Sequence, residues 1–173
     1  MVVIRIVELG DVPKKYTDVL VQELNKKGSV IKFTVTGKMA LPDTAKDKYR
    51  SQYKAEELLK MTSDARTLLV TSADLYAANR NFVFGLNKDS GPCIVSTARL
   101  DPVFYGNGTS FAATAERLVK EATHEVGHML GLRHCENMKC VMSFSQHFSD
   151  VDAKSSDFCK SCEVQLAASG TRF

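Results

Sequence analysis

From His124 to His134 the chain reads His-Glu-Val-Gly-His-Met-Leu-Gly-Leu-Arg-His, and Cys135 follows at once. This stretch constrains the fold more than any other, because it is coherent only as a helix that stops abruptly. On an α-helix, residues four apart lie on nearly the same side, so His124 and His128 can hold one metal ion. Glu125 stands about 100° further round, given roughly 3.6 residues per turn. That is beside the metal but not on it, where a general base for activated water has to be. Gly131 can adopt the left-handed backbone that ends a helix and that a Cβ resists. The chain then turns back and brings His134 in as a third ligand. Three imidazoles leave a fourth zinc position open, as hydrolytic zinc sites require. The competing reading is a surface helix with solvated histidines. Three of the four histidines fall in this one stretch, which argues against it.

Cys135, Cys140, Cys159 and Cys162 come next, as two short-spaced pairs. Their spacing suits a structural zinc held by four thiolates, so two zinc ions per chain are expected. Disulfides are the rival reading, and the odd total of five cysteines counts against them. A redox role for Cys159 and Cys162 lacks a thioredoxin-like strand–helix context. An iron–sulfur cluster would use the same four thiolates. Cys135 is bonded directly to His134, so whatever holds Cys135 also holds the third imidazole. Cys93 reads as a small buried hydrophobe, with no partner pattern for catalysis. His147 is expected on the surface, with a substrate-binding place in the cleft as the alternative.

A length of 173 residues, 44% hydrophobic and 25% charged, fits a single globular domain with a sizeable core. The net charge of +3 is mild and the basic pairs are dispersed among acids, which argues against a nucleic-acid partner. No stretch is long and apolar enough to span a bilayer, so no membrane association is expected. The start, Met1-Val-Val-Ile-Arg-Ile, reads as a first strand rather than a leader, and no inhibitory pro-segment is evident. A cytoplasmic location with reduced thiols is the expectation.

Alternation predicts a strand over residues 2–8, and Tyr16, Val19, Leu20 and Leu24 predict a helix ended by Gly28. A strand is expected from Ser29 to Val35, a loop from Gly37 to Asp47, and a helix from Lys48 to Met61. Short strands follow at Arg66–Thr71, Phe82–Leu86 and Cys93–Thr97. Thr109 or Ser110 can cap a helix over Ser110–Leu130. Its Phe111, Ala115, Leu118, Ala122 and Val126 bury one face. Alternating strands and helices imply an α/β (α+β) layered domain. It divides into an N-terminal lobe, 1–131, and a C-terminal lobe, 132–173, poor in regular structure, with the cleft between them.

The motif His124, His128, Gly131, His134, the four cysteines after it, and Met142 two residues beyond Cys140 resemble the archaemetzincins, a branch of the metzincin zinc metallopeptidases. Arg50-Ser-Gln-Tyr53 and Ala98-Arg-Leu-Asp101 are similar to that family in a less specific way. The resemblance implies a metzincin-like zincin fold, with a twisted mixed sheet packed on helices. It also implies a Met-turn that sets Met142 as a floor beneath the imidazoles; a plain gap-filling role is the alternative. By the same resemblance Phe82, Val83, Phe84 and Gly85 lie in an antiparallel edge strand that binds the substrate backbone by β-augmentation; an ordinary hairpin strand is the alternative. The chain departs from the wider group in two places. Phe144 stands where some branches have a tyrosine able to approach the metal, and Cys135 replaces an anchoring residue. The activity implied is peptide hydrolysis with Glu125 as base. An aminopeptidase for short peptides and a latent zinc-binding module remain as alternatives. A nucleic-acid module built on the four cysteines is weaker, since no basic–aromatic stripe accompanies them.

Overall fold

Alternating Val and Ile put β1 at Val2–Leu9. It leads through a turn to α1 (Lys14–Lys27), which buries Tyr16, Leu20 and Leu24 on one face. Strand β2 runs Ile31–Met39, longer than the alternation suggested, because it follows β1 in parallel past an irregularity at Ile6/Val7. The computed structural model describes residues 2–28, 30–171 and 173. Met1 and Ser29, both read as strand, lie outside the described residues.

The helix expected from Lys48 to Met61 is confined to its second half. A two-residue strand β3 (Tyr53–Lys54) precedes a short α2 (Ala55–Leu59). The Asp47 carboxylate accepts from the Tyr49 and Arg50 amides at 2.8 and 3.0 Å, and Ser51 takes a left-handed backbone, φ 54°. A side chain that captures local amides offers the backbone an alternative to helix.

Strands β4 (Thr67–Thr71), β5 (Leu75–Ala77), β6 (Arg80–Val83), β7 (Gly85–Asn87) and β8 (Cys93–Ser96) follow. Then come α3 (Phe111–Met129), α4 (Phe148–Ala153) and α5 (Lys160–Ala168). The segment after Gly131 thus has more helix than expected. A five-stranded sheet has the order β2-β1-β4-β8-β7, and a three-stranded sheet has the order β3-β5-β6. In the larger sheet only β7 runs antiparallel to its neighbour.

Every residue of β4 and of β8 is buried, as strands covered on both faces must be. On one face, Leu68, Val70, Cys93 and Val95 meet α1 and α3 through Leu20, Leu118, Ala122 and Val126. On the other, Leu69 and Ile94 meet Leu58, Leu75 and Val83. Ser110 caps α3, its Oγ accepting from the Ala113 amide. A third cluster joins Leu132, Val141, Met142 and Leu166 with Cys140 and Cys162.

Charged groups dock the C-terminal segment on α3. Arg117 makes two bonds to the Asp152 carboxylate at 2.7 and 2.8 Å. Lys154 pairs with Glu121 at 2.8 Å, both side chains almost wholly buried. Among the described residues no helix is long and apolar enough to cross a membrane.

Candidate active site

The end of α3 is built by Gly131. Its φ of +94° is left-handed. The Leu132 amide donates to the Gly127 carbonyl and the Gly131 amide to the His128 carbonyl, both at 2.9 Å. These two bonds define a Schellman end. They reverse the chain and carry His134 back over the helix.

His124, His128 and His134 come together, with ligating nitrogens within 4.8 Å of one another. His124 Nδ1 donates to the Val141 carbonyl and His128 Nδ1 to the Leu132 carbonyl, each at 2.8 Å. Those bonds set both rings in the tautomer whose Nε2 carries no proton. The two Nε2 atoms are 3.0 Å apart, so two lone pairs face each other with no donor between them. A cation satisfies both, and the donor set fits zinc. Burial holds His124 well below the ordinary imidazole range, with the Lys154 charge next in effect. Burial also lowers His128 and His134. All three therefore stay neutral and able to ligate at neutral pH.

Glu125 is buried beside them. Burial, with the Glu121 charge next, raises its pKa well above the usual carboxylate range. A bound dication acts in the opposite sense. Strand β7 lies close above: a Cβ placed on Gly85 would sit 2.7 Å from Glu125 Cγ and Oε1 and from the Ile94 carbonyl oxygen. Below, Met142 is fully buried against the helix. A Cβ on Gly127 would sit 2.3 Å from Met142 Sδ. Phe144 leans on His134 with ring centroids 5.4 Å apart, and the Arg80 guanidinium lies 4.8 Å over the Phe144 ring.

The three imidazoles, Glu125, Gly85, Phe144 and Arg80 line one cleft of about 810 Å³. The stretch read as a single edge strand is in fact two. Phe82 and Val83 belong to β6, and Gly85 begins β7. Phe84 lies between them, its carbonyl accepting from the Ser96 amide at 2.8 Å. The break falls where the chain stops pairing with β5, at Val83, and begins pairing with β8, at Gly85. Gly85, Leu86 and Asn87 all line the cleft, on the outermost strand of the larger sheet.

The four thiols form a second cluster, also within 4.8 Å of one another. Cys135 and Cys159 Sγ are 3.7 Å apart, and Cys140 and Cys162 Sγ 3.8 Å. Thiolates about 2.3 Å from one tetrahedral zinc lie about 3.8 Å from each other, so this donor set fits zinc as well. Cys140 Sγ accepts from the Met142 and Cys159 amides. The Cys162 amide, ahead of other effects, lowers the Cys159 thiol to about 7. The Cys135 amide donates to the Met142 carbonyl at 2.9 Å, which ties the thiol cluster to the turn beneath the imidazoles. Cys93 is buried, and burial raises its thiol well above the usual range. His147 is exposed at the start of α4 and outside the cleft lining.

The profile of peptidase family M54 matches residues 11–168. The chain belongs to peptidase family M54. It is 41% identical over 167 residues to an archaemetzincin of Methanocaldococcus jannaschii, covering 94% of this chain and 91% of that protein. With an archaemetzincin of Pyrococcus furiosus it shares 37% identity over 173 residues, covering 93% and 90%. Its fold superposes on the crystal structure of archaemetzincin from Methanopyrus kandleri with a TM-score of 0.81, at 34% identity over 96% of this chain and 94% of that one. The Archaeoglobus fulgidus archaemetzincin, solved in complex with malonate, gives 0.82 at 34% identity over 95% and 98%. The M54 chain is therefore a zinc metallopeptidase with a zincin-like fold, and its substrates are peptides.

Two residues at the site escaped the reading of the sequence, Glu121 in the cleft lining and Lys154 buried behind it. Glu121 carries a signal that was there to use, since it lies one turn before Glu125 on the same helix face. Lys154 carries none, because an isolated lysine reads as solvated surface.

Proposed function

We propose that the M54 chain hydrolyses peptide bonds at a zinc held by His124, His128 and His134, with Glu125 as general base. The observation that carries this reading is the pair of unprotonated Nε2 atoms 3.0 Å apart beside a buried carboxylate. When bound there, zinc supplies a Lewis acid that makes water acidic near neutral pH and draws charge from a carbonyl oxygen. Glu125 takes a proton from the attacking water as the C–O bond forms. It passes that proton to the amide nitrogen as the C–N bond breaks. The outer edge of β7 offers main-chain donors and acceptors to an extended substrate. Phe82, Val83 and Phe84 support that edge from β6 and the connection to it, and Gly85 begins it.

The same reading assigns a second zinc to Cys135, Cys140, Cys159 and Cys162, hence two ions per chain. It treats residues 1–131 and 132–173 as two lobes of one metallopeptidase domain, joined at the Gly131 hinge, with Met142 as the floor beneath the imidazoles. Reduced thiols in the second site suit a cytoplasmic setting.

The test is digestion of a mixed peptide pool by the zinc-loaded protein, read by mass spectrometry. New internal termini are the expected products. Products shortened only from the N-terminus would make it an aminopeptidase, and an intact pool would contradict hydrolysis.

The close approach of Gly85 yields a further expectation. In Gly85→Ala the new methyl group meets both Glu125 and the Ile94 carbonyl, so Glu125 and β7 have to shift apart. A reacting group misplaced by about 1 Å costs on the order of 100-fold in rate. We therefore expect kcat/KM to fall by that order while zinc content, measured by atomic absorption, stays at the wild-type value. Unchanged kcat/KM would remove Glu125 from the chemistry.

A further inference from the structure

Among the described residues three arginines lie over phenylalanine rings. Arg99 lies over Phe82 and Phe104, and its fork holds the Asp74 carboxylate at 2.7 and 2.9 Å. Arg117 lies over Phe148, and its fork holds the Asp152 carboxylate. Arg80 lies over Phe144 in the same way. It has no such carboxylate, for the ion-paired arginines among the described residues are Arg5, Arg99 and Arg117. Arg80 is exposed and belongs to the cleft lining. A single ring, Phe144, stands between its guanidinium and the His134 imidazole. Its charge reaches both Glu125 and His134, although burial acts first on each. The backbone beneath it is fixed. Arg80 pairs with Ala77 across β5 and β6, and the buried Gln52 amide donates to the Asn81 carbonyl at 3.0 Å.

We propose that Arg80 binds a carboxylate of the peptide substrate, on an acidic side chain or at a free C-terminus. The inference rests on the cleft binding peptides as proposed above. A guanidinium keeps its proton in proteins and presents its donors as a planar fork that matches a carboxylate. Stacking on Phe144 holds that plane, so less freedom is lost when the carboxylate arrives. Arg99 and Arg117 show the same stacked arginine completed by a carboxylate from within the chain. At Arg80 the place is open to the cleft, and the substrate supplies the missing group. Glu121, an acid of the cleft lining, is paired with Lys154 instead. A cationic substrate side chain would be repelled by Arg80 and by Arg133, also an exposed arginine of the lining. A carboxamide has the shape of a carboxylate, but its hydrogen bonds to the fork lack the charge that roughly doubles their strength.

The test uses the zinc-loaded Glu125→Ala protein, so that turnover does not consume the probe, and binding is measured by titration calorimetry. Short acetylated, amidated alanine peptides carry glutamate, glutamine or lysine at each position in turn. The all-alanine peptide is also made with a free C-terminus. One carboxylate probe is expected to bind about 5-fold tighter than its neutral counterpart, the upper end for an exposed ion pair. That preference should shrink as salt is raised. Adding Arg80→Gln should abolish it, and Arg80→Lys, which keeps the charge without the fork, should restore part. Arg80 is exposed, so these substitutions spare the fold. A glutamate preference puts the carboxylate on a side chain, and a preference confined to the free C-terminus puts it at the chain end; either supports the site. No gain from any carboxylate overturns it. So does a gain that survives Arg80→Gln, because the carboxylate then lies on the metal or on Arg133. Equal weakening of charged and neutral probes by Arg80→Gln overturns it too, since Arg80 then only supports Phe144. Binding by none of the probes, neutral ones included, overturns the peptide-cleft reading itself, which separates the two failures.

Discussion

Glu125→Ala is expected to keep its full zinc content and lose hydrolysis. The side chain is no part of either donor cluster, so neither metal site loses a ligand. What goes is the group that accepts a proton from water and returns it to the leaving nitrogen, a role worth about 10²- to 10⁴-fold. Steady-state kinetics on the best peptide from the pool, with zinc measured on the same sample, check this. The loss should fall on kcat, because Glu125 acts on the water and the leaving group rather than on substrate binding. Loss of zinc together with activity would mean that Glu125 is structural. Retained activity would move the base elsewhere in the cleft, and Glu121, also in its lining, would be next to test.

Cys159→Ser is expected to empty one metal site and loosen the other. Structural zinc contributes on the order of 10–16 kcal/mol of apparent folding free energy in small zinc modules. The apolar cluster around the thiols is small, with Leu132, Val141, Met142 and Leu166 among its members. Without the metal it has little else to hold it. The link to the imidazoles runs through bonds seen in the fold. Cys135 follows His134 in the chain, its amide donates to the Met142 carbonyl, and the Val141 carbonyl orients His124 Nδ1. Losing a group that orients a metal ligand typically costs about 10- to 100-fold in metal affinity or activity. Zinc should fall to one ion per chain, and kcat/KM should drop within that range. A Cys159→Ser protein with unchanged kcat/KM would show that the two sites are independent.

Much of the candidate site was legible because it is local. His124, Glu125, His128, Gly131 and His134 lie within one helix and its end, where spacing converts directly into direction. The cysteines were legible through short spacings that only a compact cluster can use. The parts that were not legible depend on contacts between distant segments. Gly85 reads as a residue in a strand, and nothing in its neighbours says that a Cβ would meet Glu125. The Glu121–Lys154 pair joins α3 to the segment after α4, and only the docking of that segment turns a lysine into a buried charge. The fold shows the same division. Strands β1 and β4 follow their apolar patterns. The first half of the expected 48–61 helix fails because Asp47 captures two backbone amides, a preference stronger than periodicity over a few residues.

The most direct test of the account is an anomalous difference map of crystals of the zinc-loaded protein, with data collected on both sides of the zinc absorption edge. Two peaks are predicted, one among the Nε2 atoms of His124 and His128 and the ring of His134, the other among the four Sγ atoms. A single peak at the cysteines, with the three imidazoles empty at saturating zinc, would contradict the claim that this cleft holds a hydrolytic metal.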